Sequence, residues 1–179
     1  DGKDNYNGFN VDADTGAKVT ITGGKFLSVH SGSLYGEGTI AVSGGTFFDD
    51  VTARCVNGYV AVKNADGTYG VAKEEGAILT LEDLRAFRDA VNAGDSYKGK
   101  TVTLYADIDL NGANWNAIGY YLKNGTDSLS YQGRFEGNGH TISNFTVVGN
   151  DSVGLFGYAE MALIQNLGVI NVTATGANA

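Results

Sequence analysis

Val19-Thr20-Ile21-Thr22-Gly23-Gly24-Lys25-Phe26 returns 21 residues later as Ile40-Ala41-Val42-Ser43-Gly44-Gly45-Thr46-Phe47. A second pair, Ile142-Ser143-Asn144-Phe145-Thr146-Val147 and Ile164-Gln165-Asn166-Leu167-Gly168-Val169, is offset by 22. Within each unit apolar and polar residues partly alternate, the mark of a strand with one buried face. A unit this short cannot bury that face alone and needs a copy stacked on either side. Coiling the chain so that successive turns lie about 4.8 Å apart brings matched residues into ladders. Val19 is then expected on Ile40, Ile142 on Ile164, and Asn144 on Asn166. Stacked amides satisfy one another by hydrogen bonding along the ladder.

The composition agrees with coiled strands. Of 179 residues, 27 are Gly and none is Pro, while 42% are hydrophobic and 18% charged. Charge is below the usual level of about 25%. Abundant Gly without Pro suits many tight turns between short strands rather than a disordered linker. The formal net charge is −8, and apart from Lys98 and Lys100 the basic residues are scattered. That pattern argues against nucleic acid or an anionic lipid surface as partner. No apolar run reaches the ~18 residues of a membrane span, so membrane insertion by this segment is not expected. Cys55 is the single cysteine and lies in an apolar stretch, where it reads as a small hydrophobe. The first residue is Asp1 rather than Met, as expected of a processed or excised piece of a longer protein.

The repeat is broken in the middle. Tyr59-Val60-Ala61-Val62 and Thr68-Tyr69-Gly70-Val71 flank Asp66-Gly67, which predicts a β-hairpin near 59–72. A polar stretch, Ala72–Gly76, follows. Then Leu81, Leu84, Phe87 and Val91 fall on one face at helical spacing, predicting a helix near 80–93. Thr80 is its expected N-cap with Asp83 as a capping-box partner, and Gly94 its end. The opposite face carries Glu82, Arg85, Asp89 and Asn92. One apolar stripe suits a lid over the exposed end of a stack of coils. The chain is therefore read as two modules. Residues 1–75 are the end of a first solenoid closed by the hairpin, and 76–179 are a capping helix and the start of a second.

Roughly residues 78–179 resemble bacterial surface proteins that carry GLUG motifs. The resemblance rests on the helical segment Leu79–Gly94, the strand Lys100–Leu110, Trp115-Asn116-Ala117-Ile118-Gly119, Phe135–Ile142, and Val153-Gly154-Leu155-Phe156-Gly157, the motif itself. The first half is similar, more loosely, to Ser-Gly-Gly-Thr-Phe repeats of the same class. The resemblance implies an all-β fold, a right-handed parallel β-helix (β-solenoid). It also implies export to the bacterial surface within a long repetitive protein, and no catalytic residue.

Parallel β-helices also house polysaccharide-cleaving enzymes, so the acids need weighing. Glycoside hydrolysis takes two carboxylates facing each other across a bond. Asp107 and Asp109 share one strand face but adjoin the cap, where a structural role is expected. Arg134 and Glu136 also share a face, without an acidic cluster in matching positions. His140, in Gly137-Asn138-Gly139-His140, reads as a turn residue, and His30 is assigned no role. Asp1, Asp4, Asp12 and Asp14 crowd the N-terminus, and Asp12-Ala13-Asp14-Thr15-Gly16 could offer oxygens to calcium. It lacks the later ligands of an EF-hand, since the twelfth position is Gly23, and reads as a solvated loop. No metal or cofactor is expected.

The stretch 119–131 fits no repeat. Insertions project from a solenoid's surface, where binding concentrates. Trp115, Tyr120, Tyr121 and Tyr131 are the candidate ligand-binding set, able to stack on sugars or anchor a protein. The other reading of these residues makes Trp115 core and packs the tyrosines around the base of the insertion. The function expected is a non-catalytic stalk or adhesin scaffold, secreted or on the cell surface. Its expected partners are a host glycan or host protein and the rest of its parent. The alternative is an accessory carbohydrate-binding or spacer module of a secreted polysaccharide-degrading or proteolytic enzyme; an adjoining catalytic domain would distinguish it.

Overall fold

The computed structural model describes residues 10–27, 32–122, 128–149 and 152–175. The chain is mostly β, with one α-helix among the described residues. It divides into two compact units, Asp1–Glu74 and Glu75–Ala179.

In the first unit the strands are β1 (Val11–Asp12), β2 (Lys18–Phe26), β3 (Leu34–Tyr35), β4 (Thr39–Phe47), β5 (Tyr59–Lys63) and β6 (Tyr69–Lys73). β2 pairs with β4 in parallel, with Val19 on Ile40, Ile21 on Val42 and Phe26 on Phe47. This is the register expected from the repeat. The two phenyl rings stack with centroids 4.9 Å apart and planes 8° from parallel. The Gly-Gly pair of the second repeat has a physical cause. A Cβ on Gly44 would lie 2.4 Å from the Thr22 carbonyl oxygen, so the coils could not close. Gly45 has φ +118°, which L side chains rarely adopt, and the Phe47 ring folds over it.

Ser33 fixes the coil corner. Its hydroxyl donates to the Phe26 carbonyl (2.8 Å) and accepts from the Phe48 N–H (3.0 Å), while its own N–H donates to Asp49 (2.8 Å). β5 and β6 form the antiparallel hairpin, and β6 pairs antiparallel with β4. The sheet of this unit is thus mixed, and the hairpin ends its parallel stacking. In the hairpin turn the Asp66 carboxylate accepts from the Thr68 N–H and hydroxyl. Cys55 is half-buried. Burial, then the charges of Asp50 and Glu74, push its thiol pKa up, which keeps it in the unreactive protonated form.

The second unit opens with β7 (Ala77–Ile78) and α1 (Leu81–Asn92). It continues with β8 (Thr101–Leu104), β9 (Ile108–Asn114), β10 (Arg134–Glu136), β11 (Thr141–Val148), β12 (Leu163–Gln165) and β13 (Gly168–Thr175). Two all-parallel sheets result, in the orders β7-β8-β10-β12 and β9-β11-β13. Along the chain the strands alternate between the two sheets, as β8 and β9, then β10 and β11, then β12 and β13.

The expected register here is wrong. Ile142 stacks on Ile108 and Val169, not on Ile164, which stacks on Phe135. Asn144 meets Asn171 rather than Asn166. Ile142 and Ile164 lie on different strands of the coil, in different sheets, so their similar surroundings reflect a shared strand-to-corner geometry and not a ladder. The spacing between rungs is 34 residues from Ile108 to Ile142, the longer coil holding the insertion, and 27 from Ile142 to Val169.

The helix caps this unit as its stripe requires. Thr80 and Asp83 form a complete capping box: the Thr80 hydroxyl accepts from the Asp83 N–H and the Asp83 carboxylate from the Thr80 N–H. Leu84, Phe87 and Val91 are buried in a core with Val102, Leu104, Ile118 and Phe135. Phe87 lies at the centre of an aromatic cluster, 5.0 Å from Tyr97, 5.4 Å from Tyr131 and 5.8 Å from Phe135 by ring centroids. Asn92, on the polar face by sequence, is not free. Its amide donates to the Ala117 carbonyl (3.0 Å) and accepts from the Gly119 N–H (2.8 Å), tying the helix to the loop beneath it.

Phe87→Asp should destabilise the second unit by about 3–5 kcal/mol for the lost aromatic, with the cost of a buried charge added. Chemical denaturation of the variant beside the parent measures this; equal midpoints would mean that the helix does not support the core.

Candidate functional site

The four candidate residues separate into two pairs. Trp115 is 2% exposed and Tyr131 0%; both belong to the core and cannot offer a ring face to a ligand. The Trp115 indole N–H donates to the Leu155 carbonyl at 3.1 Å, and the Arg88 guanidinium stacks 4.7 Å from its ring centroid. Tyr131 packs between Phe87 and Phe156, each 5.4 Å away. The chain re-enters the core at Tyr131, where its N–H donates to the Tyr158 carbonyl. Only Tyr120 and Tyr121 remain at the surface.

Those two sit at the base of the insertion, of which 123–127 lie outside the described residues. Tyr120 and Leu129 exchange two backbone hydrogen bonds, 2.8 and 2.9 Å. The Tyr121 N–H donates to the Ser152 hydroxyl and the Leu122 N–H to that of Ser128. A pinned neck thus presents Tyr121, 44% exposed, and Leu122 beside it. Tyr158 approaches Tyr121 edge-on, with centroids 5.5 Å apart. Sequence reading missed Tyr158. The available signal was its place directly after the Val153–Gly157 motif, whose Phe156 bridges to Ile118.

That motif works through close approach. Leu155 is buried, and its carbonyl accepts both from the Trp115 indole and from the Ile118 N–H. A Cβ on Gly157 would lie 2.6 Å from the Gly119 carbonyl oxygen. Neither Gly154 nor Gly157 has positive φ, and both lie at bends of the chain.

The acids hold the chain's own corners. Asp107 accepts from the Thr141 N–H (2.8 Å) and faces His140 Nδ1 (3.2 Å). These contacts, the backbone bond first, hold its carboxyl below the usual range. Asp109 accepts from the Asn111 N–H (2.7 Å) and from the Asn144 side chain, with the same effect. Glu136 is gripped hardest, by the side chains of Asn166 (2.8 Å) and Gln165 (2.6 Å), the Asn138 N–H (3.0 Å) and Arg134 (3.2 Å). Its pKa is drawn down to about 2. Asp12 lies in the short pairing of β1 with β3. Among the described residues no three His, Cys, Asp or Glu gather to hold a metal ion. Asp1, Asp4 and His30 lie outside the described residues. Among those described, no helix is long and apolar enough to cross a membrane.

Comparison with known proteins finds a similarity to halomucin of Haloquadratum walsbyi, 32% identical over 166 residues. The match takes in 86% of this chain and spans only 2% of halomucin's length. No family model matches the chain, and no solved structure matches it.

Two predictions follow from the buried tyrosine and the gripped glutamate. The Tyr131 hydroxyl is buried without a hydrogen-bond partner among the described residues. Tyr131→Phe should therefore raise stability by about 1–3 kcal/mol, the penalty of an unpaired buried polar group; a fall in the denaturation midpoint would show that the hydroxyl is bonded. Glu136 has a folded pKa below its ordinary 4.5, so its stabilising effect is complete above that value and lost as pH falls towards 2. Glu136→Gln should be less stable than the parent at neutral pH, with the difference shrinking between pH 4.5 and 2. Thermal melts across that window measure it, and a difference independent of pH would refute the assignment.

Proposed function

We propose that the chain is a non-catalytic extracellular segment of a long cell-surface protein of the GLUG-motif type. It forms parts of right-handed parallel β-solenoid modules, and scaffolds and displays rather than transforms. The observation that carries this reading is the use made of its polar side chains. In-register parallel strands build the body of the second unit; Asp107 and Glu136 are committed to backbone and amide groups of the next turn, and Asp109 to the Asn111 N–H of its own. A carboxylate bonded in this way is a poor candidate for proton transfer, because its low pKa leaves it a weak base. Similarity to a stretch that makes up 2% of a far longer protein supports a role as one segment among many.

The ligand proposed is a host glycan or glycoprotein. The surface that receives it is Tyr121 with Tyr120 and Tyr158, since an exposed aromatic on a pinned neck loses little side-chain freedom when a sugar ring stacks on it. Trp115 and Tyr131 drop out of the site because they support the core beneath.

Antibodies raised against the segment should label intact cells that make the parent protein; labelling only after permeabilisation would refute an extracellular place. On a glycan array, Tyr121→Ala with Tyr158→Ala should weaken the parent chain's binding at least about tenfold, as for loss of a hot-spot aromatic. The melting temperature should stay nearly unchanged. Undiminished binding by that double variant would move the site elsewhere.

A further inference from the structure

The final coil of the second unit carries a core side with nothing stacked on it. Three inward rows run through its sheets. In the first, Ile108 and Ile142 are buried, and Val169, the next rung, is 44% exposed. In the second, Phe145 is buried and Val172 is 37% exposed. In the third, Val102 and Phe135 are buried and Ile164 is 39% exposed. Exposure changes at one coil in all three rows while the residue type stays apolar. β12 and β13 are also the edge strands of their sheets, so one side of each backbone is unpaired within them.

The corners add a directional requirement. Asn111, Asn144 and Asn171 occupy one corner in successive coils, with φ of 52°, 57° and 53°. Asn171 donates its amide to Asn144 Oδ1 at 3.0 Å. The earlier rung thus accepts at its oxygen from the rung that follows it. Among the described residues, no donor reaches Asn171 Oδ1. At a second corner Glu136 accepts in the same sense from Gln165 and Asn166 of the next coil.

We infer that the β12–β13 edge is a stacking site for one further parallel coil. That coil has aliphatic residues over Ile164, Val169 and Val172 and a side-chain amide donor over Asn171. Continuity with the β11–β13 interface identifies the occupant, because the same rows and the same amide relay run through it. A second copy of this chain meeting the edge about a two-fold axis would run β13 antiparallel to itself, out of register with these rows. The inference depends on neither the cellular location nor the ligand of the protein.

The test uses the whole chain with one addition: residues 149–175 repeated directly after Thr175, which reproduces the 27-residue spacing from Asn144 to Asn171. Hydrogen–deuterium exchange is followed at the amides of β13, with the parent chain as reference. Stacking of the added coil should slow the edge-facing amides of Val169–Thr175 at least about 100-fold and reduce binding of a hydrophobic dye. Changing the added coil's counterpart of Asn171 to Ala should give back at least about tenfold of that protection. Independently, Val169→Lys with Val172→Lys should leave the parent's melting temperature nearly unchanged, since the row is open there, and should abolish the protection in the extended chain. If the parent folds and its β13 amides exchange at the parent rate despite the addition, the edge is not a stacking site. A parent chain that is already dimeric, with β13 protected, would identify a second copy as the occupant and overturn the inference.

Discussion

Parallel pairing between neighbouring strands of each sheet is the constraint on which the rest depends. It sets like beside like, so every choice of residue is made once for a row rather than once for a position. An inward aliphatic must tolerate an aliphatic above and below it, as Ile108, Ile142 and Val169 do. A phenyl ring must lie flat on the next ring, as Phe26 does on Phe47. Where two backbones approach too closely for a side chain, as at Gly44 over Thr22, only glycine fits. The hairpin in the first unit and the helix in the second answer the weakness of such stacking, which is that each coil needs covering.

Rows of like residues are simple for hydrocarbons and awkward for charges. Like charges in register would repel, and the second unit avoids this by pairing acids with neutral polar residues. Asp109 is followed by Ser143, and Glu136 by Gln165 with Asn166 beside it. The Glu136 carboxylate accepts from these amides, each both donor and acceptor. The same arrangement lets asparagine occupy left-handed corners that most residues avoid.

Much of this was legible in the residues. The Gly-Gly-x-Phe repeat located the first pair of strands and their register, because two glycines before a phenylalanine have few other uses. Asp66-Gly67 and the Thr80–Asp83 cap marked the hairpin and the helix. The register of the second unit was misread because Ile142-Ser143-Asn144 and Ile164-Gln165-Asn166 look alike while lying on different strands of the coil. The true partner was visible in a less obvious likeness, Asn144-Phe145-Thr146-Val147 against Asn171-Val172-Thr173-Ala174, at a spacing that differs from the preceding one because that coil holds the insertion. The candidate site was half legible. An insertion rich in tyrosine was recognisable, but whether a tyrosine faces water depends on contacts distant in sequence. Tyr131 is buried by Phe87 and Phe156, and nothing local foretells it.

The amide relay has a sense of direction that matches the order in which a chain is made. The segment bearing Asn144 precedes the one bearing Asn171, and Glu136 precedes Gln165 and Asn166; in both, the acceptor lies on the earlier segment. A polypeptide leaving the ribosome N-terminus first would find each of these corner amides arriving at an oxygen already in position. Helix α1 emerges before the coils it covers and supplies the floor on which they are laid. A long protein assembled this way could settle turn by turn during its own synthesis, without waiting for its far end.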